Sequence, residues 1–466
     1  MSTLIMKFGG ASVGNTAALT QVLSIVLHEQ SRWDQLLLVA SALDGVTDAL
    51  IEATHLAQLS NRRGYRRITA TLRTRHLALI EKLPLGTNER TALQIDLDRL
   101  LFDMLNICQS ISDNTTAPIT PETIDAVIGV GEKLAARIVA ALLRQNNVRS
   151  VAIDTTDLIV TDDTYGNARP NMQLTRARIN ANLLPMLDRN IVPVVTGFIA
   201  GTLTGKPTTL GRGGSDYTAS ILSVCSAANE VWIWTDVDGI MSCDPREIPE
   251  AHVIPELSYD EMAELAYFGA RVLHSRMVGP LRESQIPLRV KNVYKPQQIG
   301  TLIHAQTKNM QPIKAITAIQ GIGLAAGHSG PITRITEMVD DAMFHTIGNH
   351  ADVMISAQSS DQSFLCFVVP TNAGPDAVHA MQTLLETRIH AQPTLAEWSV
   401  QPVTIITAIG LALNGNPALN GQIMQALNNV SLLAISQSPA RCSLSVVVAP
   451  RDAETVYRQL HTLTTG

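Results

Sequence analysis

Short apolar runs that end in glycine-rich or acidic turns, each followed by a helical pattern, recur along most of this chain and restrict it to a layered α/β fold. Residues 4–8 end at Gly9-Gly10 before a helical pattern over 17–27, and residues 36–41 end in a small polar turn before a second over 47–59. Further runs at 151–153, 191–196, 231–235 and 286–290 are bounded by turn residues. Strands alternating with helices predict a mainly parallel sheet sandwiched by helices. Residues from about 60 to 145 lack β-branched runs and read as consecutive helices broken at Pro84 and at Pro118 to Pro121, a helical insertion.

From residue 313 to 466 the pattern becomes a tandem repeat. Residues 354–369 answer to 434–448, each reading as a β-hairpin, with a helix before it (331–347; 418–427) and another after it (375–388; 452–460). That βαββα order, at about 75 residues per copy, describes two small domains rather than a solenoid. The copies are expected at about 320–400 and 401–466. The second reaches Gly466 before a closing strand, so the run at 315–319 is expected to supply it and interlock the two units.

Composition narrows the function classes. With 45% hydrophobic and 16% charged residues, the 466-residue chain has enough apolar content to bury a core. The net charge of -6 comes with no basic stripe, so nucleic acid is not an expected partner. No stretch reaches the roughly 18 apolar residues of a membrane span, and residues 1–7 do not read as a signal peptide. A cytoplasmic location is expected. The five cysteines form no CxxC pair and are odd in number, which suits reduced thiols better than a disulfide or zinc framework.

Three clusters carry chemistry. At Lys7-Phe8-Gly9-Gly10, glycines after a strand let backbone N–H groups approach phosphate oxygens, and the lysine offers a point charge. The same pair of glycines also suits a plain tight turn. At 208–218, Gly211, Gly213 and Gly214 surround Arg212, whose fork can hold a carboxylate, and Asp216, which can orient a lysine or a magnesium-bound phosphate. The alternative is a solvated loop in which Arg212 pairs with Asp216. At 234–246, Thr235 and Asp236 fall beyond the carboxyl end of a strand, where ligands of open α/β sheets bind, although Asp-Gly turns are common.

Other chemistries fail on spacing. Residues 201–207 have too few residues between their glycines for a P-loop, and Pro207 stands where Ser or Thr should follow the lysine. The glycines at 321–330 do not give a GxGxxG fingerprint, and no HExxH, GxSxG or protein-kinase signature occurs. His274 is expected to be a core or capping histidine rather than a metal ligand.

Together and in this order, KFGG at 7–10, GRGGSDYTA at 211–219, WTDVDGI at 234–240 and ELAYFGARVLH at 264–274 resemble the aspartate kinases of the amino-acid kinase family, over nearly the whole chain. The C-terminal repeat is similar to the paired, ferredoxin-like ACT domains that bind amino-acid effectors there. The resemblance implies a catalytic domain at 1–305, a regulatory pair at 313–466, and transfer of the ATP γ-phosphoryl group to the β-carboxylate of L-aspartate. Lys7 would stabilise the phosphoryl group in flight, with help from Gly9, Gly10 and Ser12, and Asp216 would organise the phosphate end. Arg212 would clamp the α-carboxylate, Glu132 would pair with the α-ammonium, and Ser41, Thr47 and Ser215 would supply hydroxyl contacts. Glu132 also suits an ordinary first-turn helix carboxylate. The nucleotide would meet Gly213, Gly214, Thr235, Asp236, Met241, Arg246, Lys291 and Asn292, with Mg2+ on its phosphates and no protein metal cage.

The resemblance further implies an amino-acid effector, lysine or threonine, and a homodimer or higher oligomer through the repeat. No further catalytic domain is expected beyond the repeat. Ala11 stands where the family usually has Thr, Gly129 and Ala135 where it has Ser, Met241 where it has Tyr, and Ser275 where it has Pro. The effector turn at 328–331 and the pair near 350–352 match only in part. Two other readings stay open: a kinase for another amino acid or a nucleoside monophosphate, and an inactive amino-acid sensor on the same scaffold.

Overall fold

The structure, a computed structural model, describes all residues except 115–118, 270–272, 306, 308–310, 327–331, 348–350, 352, 361, 370–375, 393–394, 396, 412, 414–415, 429, 441 and 465–466. The expected effector turn at 328–331 and residues 350 and 352 therefore lie outside the described residues. The chain opens with β1 (Thr3–Phe8), α1 (Gly10–Val13), α2 (Thr16–Glu29), β2 (Gln35–Ala40) and α3 (Val46–Gln58). The insertion is helical as expected, with α4 (Arg62–Lys82), α5 (Thr87–Asp113), α6 (Pro121–Ile128) and α7 (Val130–Gln145). Alternation resumes with β3 (Ser150–Ile153), β4 (Val160–Thr161), α8 (Met172–Asn182), α9 (Leu184–Leu187), β5 (Val192–Thr196), β6 (Ile199–Thr202), β7 (Pro207–Thr209), α10 (Gly214–Ser226) and β8 (Glu230–Thr235). It continues through β9 (Glu256–Ser258), α11 (Tyr259–Tyr267), α12 (Ser275–Ser284), β10 (Leu288–Asn292) and β11 (Thr301–His304).

Eight of these strands form one sheet in the order β3-β5-β2-β1-β8-β10-β11-β9, parallel throughout except where β10 meets β11. Strands β2 and β5 are short runs of Leu and Val, as expected where helices cover both faces of a parallel sheet. On one face Leu4, Met6 and Phe8 pack with Leu19, Val22 and Val26 of α2. Strands β4, β6 and β7 make a small separate sheet. His274 caps α12, its ring accepting from Arg276 N, and burial lowers its pKa from the ordinary value, which favours the neutral, accepting ring. All five cysteines are free and buried. Among the described residues no helix is long and apolar enough to cross a membrane.

The remaining elements are β12 (Ala315–Ala326), α13 (Ile332–Ile347), β13 (Val353–Gln358), β14 (Ser363–Val368), α14 (Ala377–His390), β15 (Trp398–Ile409), α15 (Pro417–Ala426), β16 (Leu432–Gln437), β17 (Ser443–Val448) and α16 (Pro450–His461). They form one antiparallel sheet in the order β13-β14-β12-β15-β17-β16. The run at 315–319 is not a separate strand: it is the first part of β12, which pairs with β15 over its whole length, from Ala315 beside Ile409 to Ala326 beside Trp398. Gly321 and Gly323 mark close approach within β12. A Cβ at Gly321 would lie 2.4 Å from Phe367 O, and one at Gly323 would lie 2.9 Å from Val403 Cγ1. Ile316 packs with Ile406, Val446 and Leu460, while Ile322 and Leu324 pack with Leu365, Leu385 and Trp398. One strand therefore serves both repeat cores, which interlocks the two units.

The chain divides into two compact units, one made of Met1–Ile240, Pro255–Tyr259 and Val272–Thr307, the other of Met241–Ile254, Asp260–Arg271 and Lys308–Gly466. Two stretches inside the expected 1–305 segment thus belong with the repeat. The cause is local packing: Cys243 and Ile248 join the core of Ile313, Ile316 and Tyr457, and Asp244 N donates to Tyr457 Oη at 2.9 Å.

Candidate functional site

In the parallel pairing of β1 with β8, Lys7 lies beside Ile233 and Phe8 beside Trp234. Strand alternation sends the Lys7 side chain to the face opposite Phe8 and Trp234. There it meets the first turn of α10, where Asp216 Oδ1 lies 2.6 Å from Nζ, both side chains being 12% exposed. The turn before α10 depends on two left-handed glycines, Gly211 at φ +75° and Gly213 at φ +71°. A Cβ at Gly213 would also lie 2.3 Å from His274 Cβ, so only glycine fits there.

That turn opens on a cavity of about 250 Å³ whose walls include Lys7, Ser41, Thr47, Glu132, Arg212, Ser215 and Asp216. The structure thus brings into one cavity every residue expected to drive the transfer or hold the acceptor. Glu132 sits in the first turn of α7 and is 3% exposed. Its Oε1 accepts from Ala42 N at 3.3 Å, while its Oε2 has no partner. Burial pushes its carboxyl up to about 8, against the weaker lowering by its own and the Ala42 backbone N–H groups. Once ionised, a buried carboxyl with one vacant oxygen can hold a cation.

The expected nucleotide residues are more dispersed. Gly10 is needed for close approach, since a Cβ there would lie 3.0 Å from Ala42 O. Gly9 N donates to Trp234 O at 3.3 Å. Ser12 is fully buried and its hydroxyl donates to Trp234 O at 3.1 Å. It therefore pins α1 to the end of β8, and its hydroxyl is not presented to a phosphate. Gly213 and Gly214 border the cavity at the start of α10. Thr235 ends β8, its hydroxyl donating to Asp236 at 3.1 Å, and Asn292 at the end of β10 donates to Asp236 O at 3.2 Å. Lys291 does not join them. One residue before Asn292 on a strand, it projects from the other face and donates to Gln298 O at 2.8 Å. Met241 and Arg246 belong to the second unit, where Arg246 pairs with Asp244 at 2.6 Å.

Three contributors were not read from the sequence. Asp125 of α6 is buried and accepts from Gly166 N, Thr209 N and Thr209 Oγ1, holding the strand that leads into the Gly211 turn. A carboxylate among the apolar positions of α6 was the available signal. Phe198 lines the cavity with φ +66°, a conformation bulky residues rarely adopt and for which an aromatic side chain gives no cue. Asp238 accepts from Asn292 and, at 2.7 Å, from Lys295, and the Lys295 bond lowers its pKa from the ordinary value.

A family model described as amino acid kinase family matches residues 2–292, and one described as ACT domain matches 406–463. The bifunctional aspartokinase/homoserine dehydrogenase 1 of Arabidopsis thaliana is 29% identical over 481 residues, covering 99% of this chain and 51% of that protein. The chain thus spans about half the length of the first curated relatives it matches. Lysine-sensitive aspartokinase 3 of Escherichia coli is 27% identical over 461 residues, 98% of each chain. The crystal structure of Escherichia coli aspartokinase III in complex with lysine and aspartate superimposes with a TM-score of 0.81 at 26% identity over 99% of both chains. The complex with aspartate and ADP gives 0.78 at 26% identity over the whole of both. With the glycine turn, the Lys7–Asp216 pair and the parallel sheet all in the matched segment, the chain belongs to the amino acid kinase family.

Proposed function

We propose that this chain transfers the γ-phosphoryl group of ATP to the β-carboxylate of L-aspartate, giving 4-phospho-L-aspartate and ADP. The observation that carries this reading is the buried Glu132 with its unpartnered Oε2, in the same cavity as Arg212 and the Lys7–Asp216 pair. An ammonium at Glu132 and a carboxylate on Arg212 are the two α-groups of a free amino acid. Lys7 then remains for the phosphoryl group.

The acceptor carboxylate attacks the γ-phosphorus, the bond to the bridging oxygen breaks, and the electron pair leaves on the β-phosphate of ADP. A carboxylate is already a nucleophile at neutral pH, so catalysis is positioning and charge neutralisation without a general base. Asp216 holds the Lys7 ammonium in place at 2.6 Å, and the N–H groups at the start of α10 add positive potential toward the phosphates. Ser41, Thr47 and Ser215 supply hydroxyls to the acceptor. The nucleotide lies along Gly9, Gly10, Gly213 and Gly214 and past the strand ends at Thr235, Asp236 and Asn292. Mg2+ would be held by the phosphate oxygens, since the Asp216 carboxylate is already paired with Lys7, and it would supply charge neutralisation.

This activity is the first step toward lysine, threonine and methionine, placed in the cytoplasm. The repeat pair supports feedback by lysine or threonine and self-association through its edge strands β13 and β16. The missing hydroxyl at Gly129 leaves no hole, because a Cβ there would lie 2.6 Å from Ile199 Cγ2. The test is ADP release with MgATP and L-aspartate, L-glutamate or N-acetylglutamate, with the acyl phosphate trapped by hydroxylamine. Turnover with aspartate alone is expected. Turnover with glutamate alone would assign another acceptor, and silence from folded protein would favour the sensor reading.

A further inference from the structure

A second cavity, of about 450 Å³, lies on the sheet face opposite Lys7, beside the C-terminal end of α2. Its floor departs from the rule that central strands of a parallel sheet are apolar on both faces. In the pairing of β8 with β10, Arg289 lies beside Trp232 and Lys291 beside Trp234. This face therefore carries Glu230, Trp232, Trp234, Arg289 and Lys291, while Val231, Ile233, Leu288 and Val290 make the other face apolar. Charged residues in the middle of such a sheet break a local rule, and breaks of that kind mark functional sites.

Two buried groups that border this cavity lack partners: Glu29 Oε2, in a residue 5% exposed, and Trp234 Nε1, in a residue 1% exposed. One accepts and the other donates. Lys291 Nζ lies 5.1 Å and 5.4 Å from the Trp232 and Trp234 ring centroids and makes one hydrogen bond, to Gln298 O. Burial, then the nearby Arg289, lowers the Lys291 pKa from its ordinary value, an effect a bound anion offsets. A cation and an indole N–H on aromatic walls, with a vacant carboxylate oxygen, complement a ligand carrying an anionic end and an N–H donor end.

We propose that this cavity binds a small amino-carboxylate zwitterion of the free amino-acid class, its carboxylate on Lys291 and Trp234 Nε1 and its ammonium on Glu29. The site is separate from the acceptor cavity, and the proposal does not depend on the phosphoryl-transfer reading.

Three of the four tryptophans, Trp33, Trp232 and Trp234, line this cavity, so indole fluorescence of the full chain carrying Trp398→Phe reports on it. The chain is titrated with the L-amino acids and, for each, the amine lacking the carboxylate and the acid lacking the amine. A saturable change is expected for at least one amino acid and for neither analogue, and it is expected to persist when Arg212→Ala disables the other cavity. Glu29→Gln is expected to weaken binding about tenfold or more, the loss of one charge-assisted hydrogen bond. Lys291→Gln is expected to do the same, so the test survives if one variant fails to fold by circular dichroism. No saturable change with any amino acid, equal binding of the deaminated acid, or parent-like binding in the folded variants would overturn the proposal.

Discussion

The Lys7 ammonium and the Asp216 carboxylate lie 2.6 Å apart, joining the end of β1 to the first turn of α10. The pair is mostly enclosed, so removing one partner leaves a charge that water only partly solvates. Lys7→Ala is expected to lower kcat by about a hundredfold to a thousandfold, the usual cost of losing a preorganised electrostatic group. Far-UV circular dichroism is expected to match the parent chain. Parent-like turnover in the hydroxylamine assay would remove Lys7 from its assigned role.

Glu132 predicts a pH dependence whose sign follows from its raised pKa. The free protein keeps this carboxyl protonated up to about pH 8, whereas the unfolded chain ionises it near 4.5. Its contribution to stability is therefore fully present below about pH 4.5 and is lost as pH rises to about 8. Binding of an ammonium needs the ionised form, so aspartate affinity is expected to rise from pH 6 to about 8, with proton release on binding. Calorimetry in buffers of different ionisation enthalpy reads that proton, and Glu132→Gln should abolish both its release and the pH slope.

The space beside Gly129 is filled by Ile199, whose Cγ2 would lie 2.6 Å from an added Cβ. Gly129→Ser alone is expected to destabilise the chain by about 1–3 kcal/mol through overpacking. In combination with Ile199→Ala, that penalty should largely vanish, giving a coupling that urea unfolding of the four proteins in the cycle can measure. Strict additivity would show that the two positions do not share this space.

Sharing of β12 between two cores makes the repeat units one cooperative body. Leu460 is fully buried in the second core, and Leu460→Ala is expected to cost about 2–5 kcal/mol. Hydrogen exchange should then accelerate in β14 of the first unit as well as in β17 of the second. Loss of protection confined to the second unit would show that the two melt separately.

Much of the site was legible because its chemistry is local. Gly211 and Gly213 stand next to Arg212 and Asp216 in sequence, and a turn that needs positive φ announces itself through glycine. The place of Lys291 was partly legible too, because strand alternation already separates its side chain from that of Asn292. Ser12 was less accessible, because only the packing of α1 against β8 shows that its hydroxyl is used within the protein. Phe198 gave no signal, since tertiary contacts such as the bond from its N–H to Thr218 Oγ1 hold it in an unfavoured conformation.

By itself the sequence determined the alternating α/β layers, the helical insertion, the repeat and the glycine turns, because apolar period and turn chemistry act over a few residues. Tertiary structure alone decided that the strand expected at 315–319 runs on to Ala326, because β14 and β15 pair with it at Gly321 and Gly323. It also decided that 241–254 belongs with the repeat and that Glu132 is buried with a vacant oxygen. Those outcomes depend on which distant side chains exclude water from a group, and no local pattern encodes that.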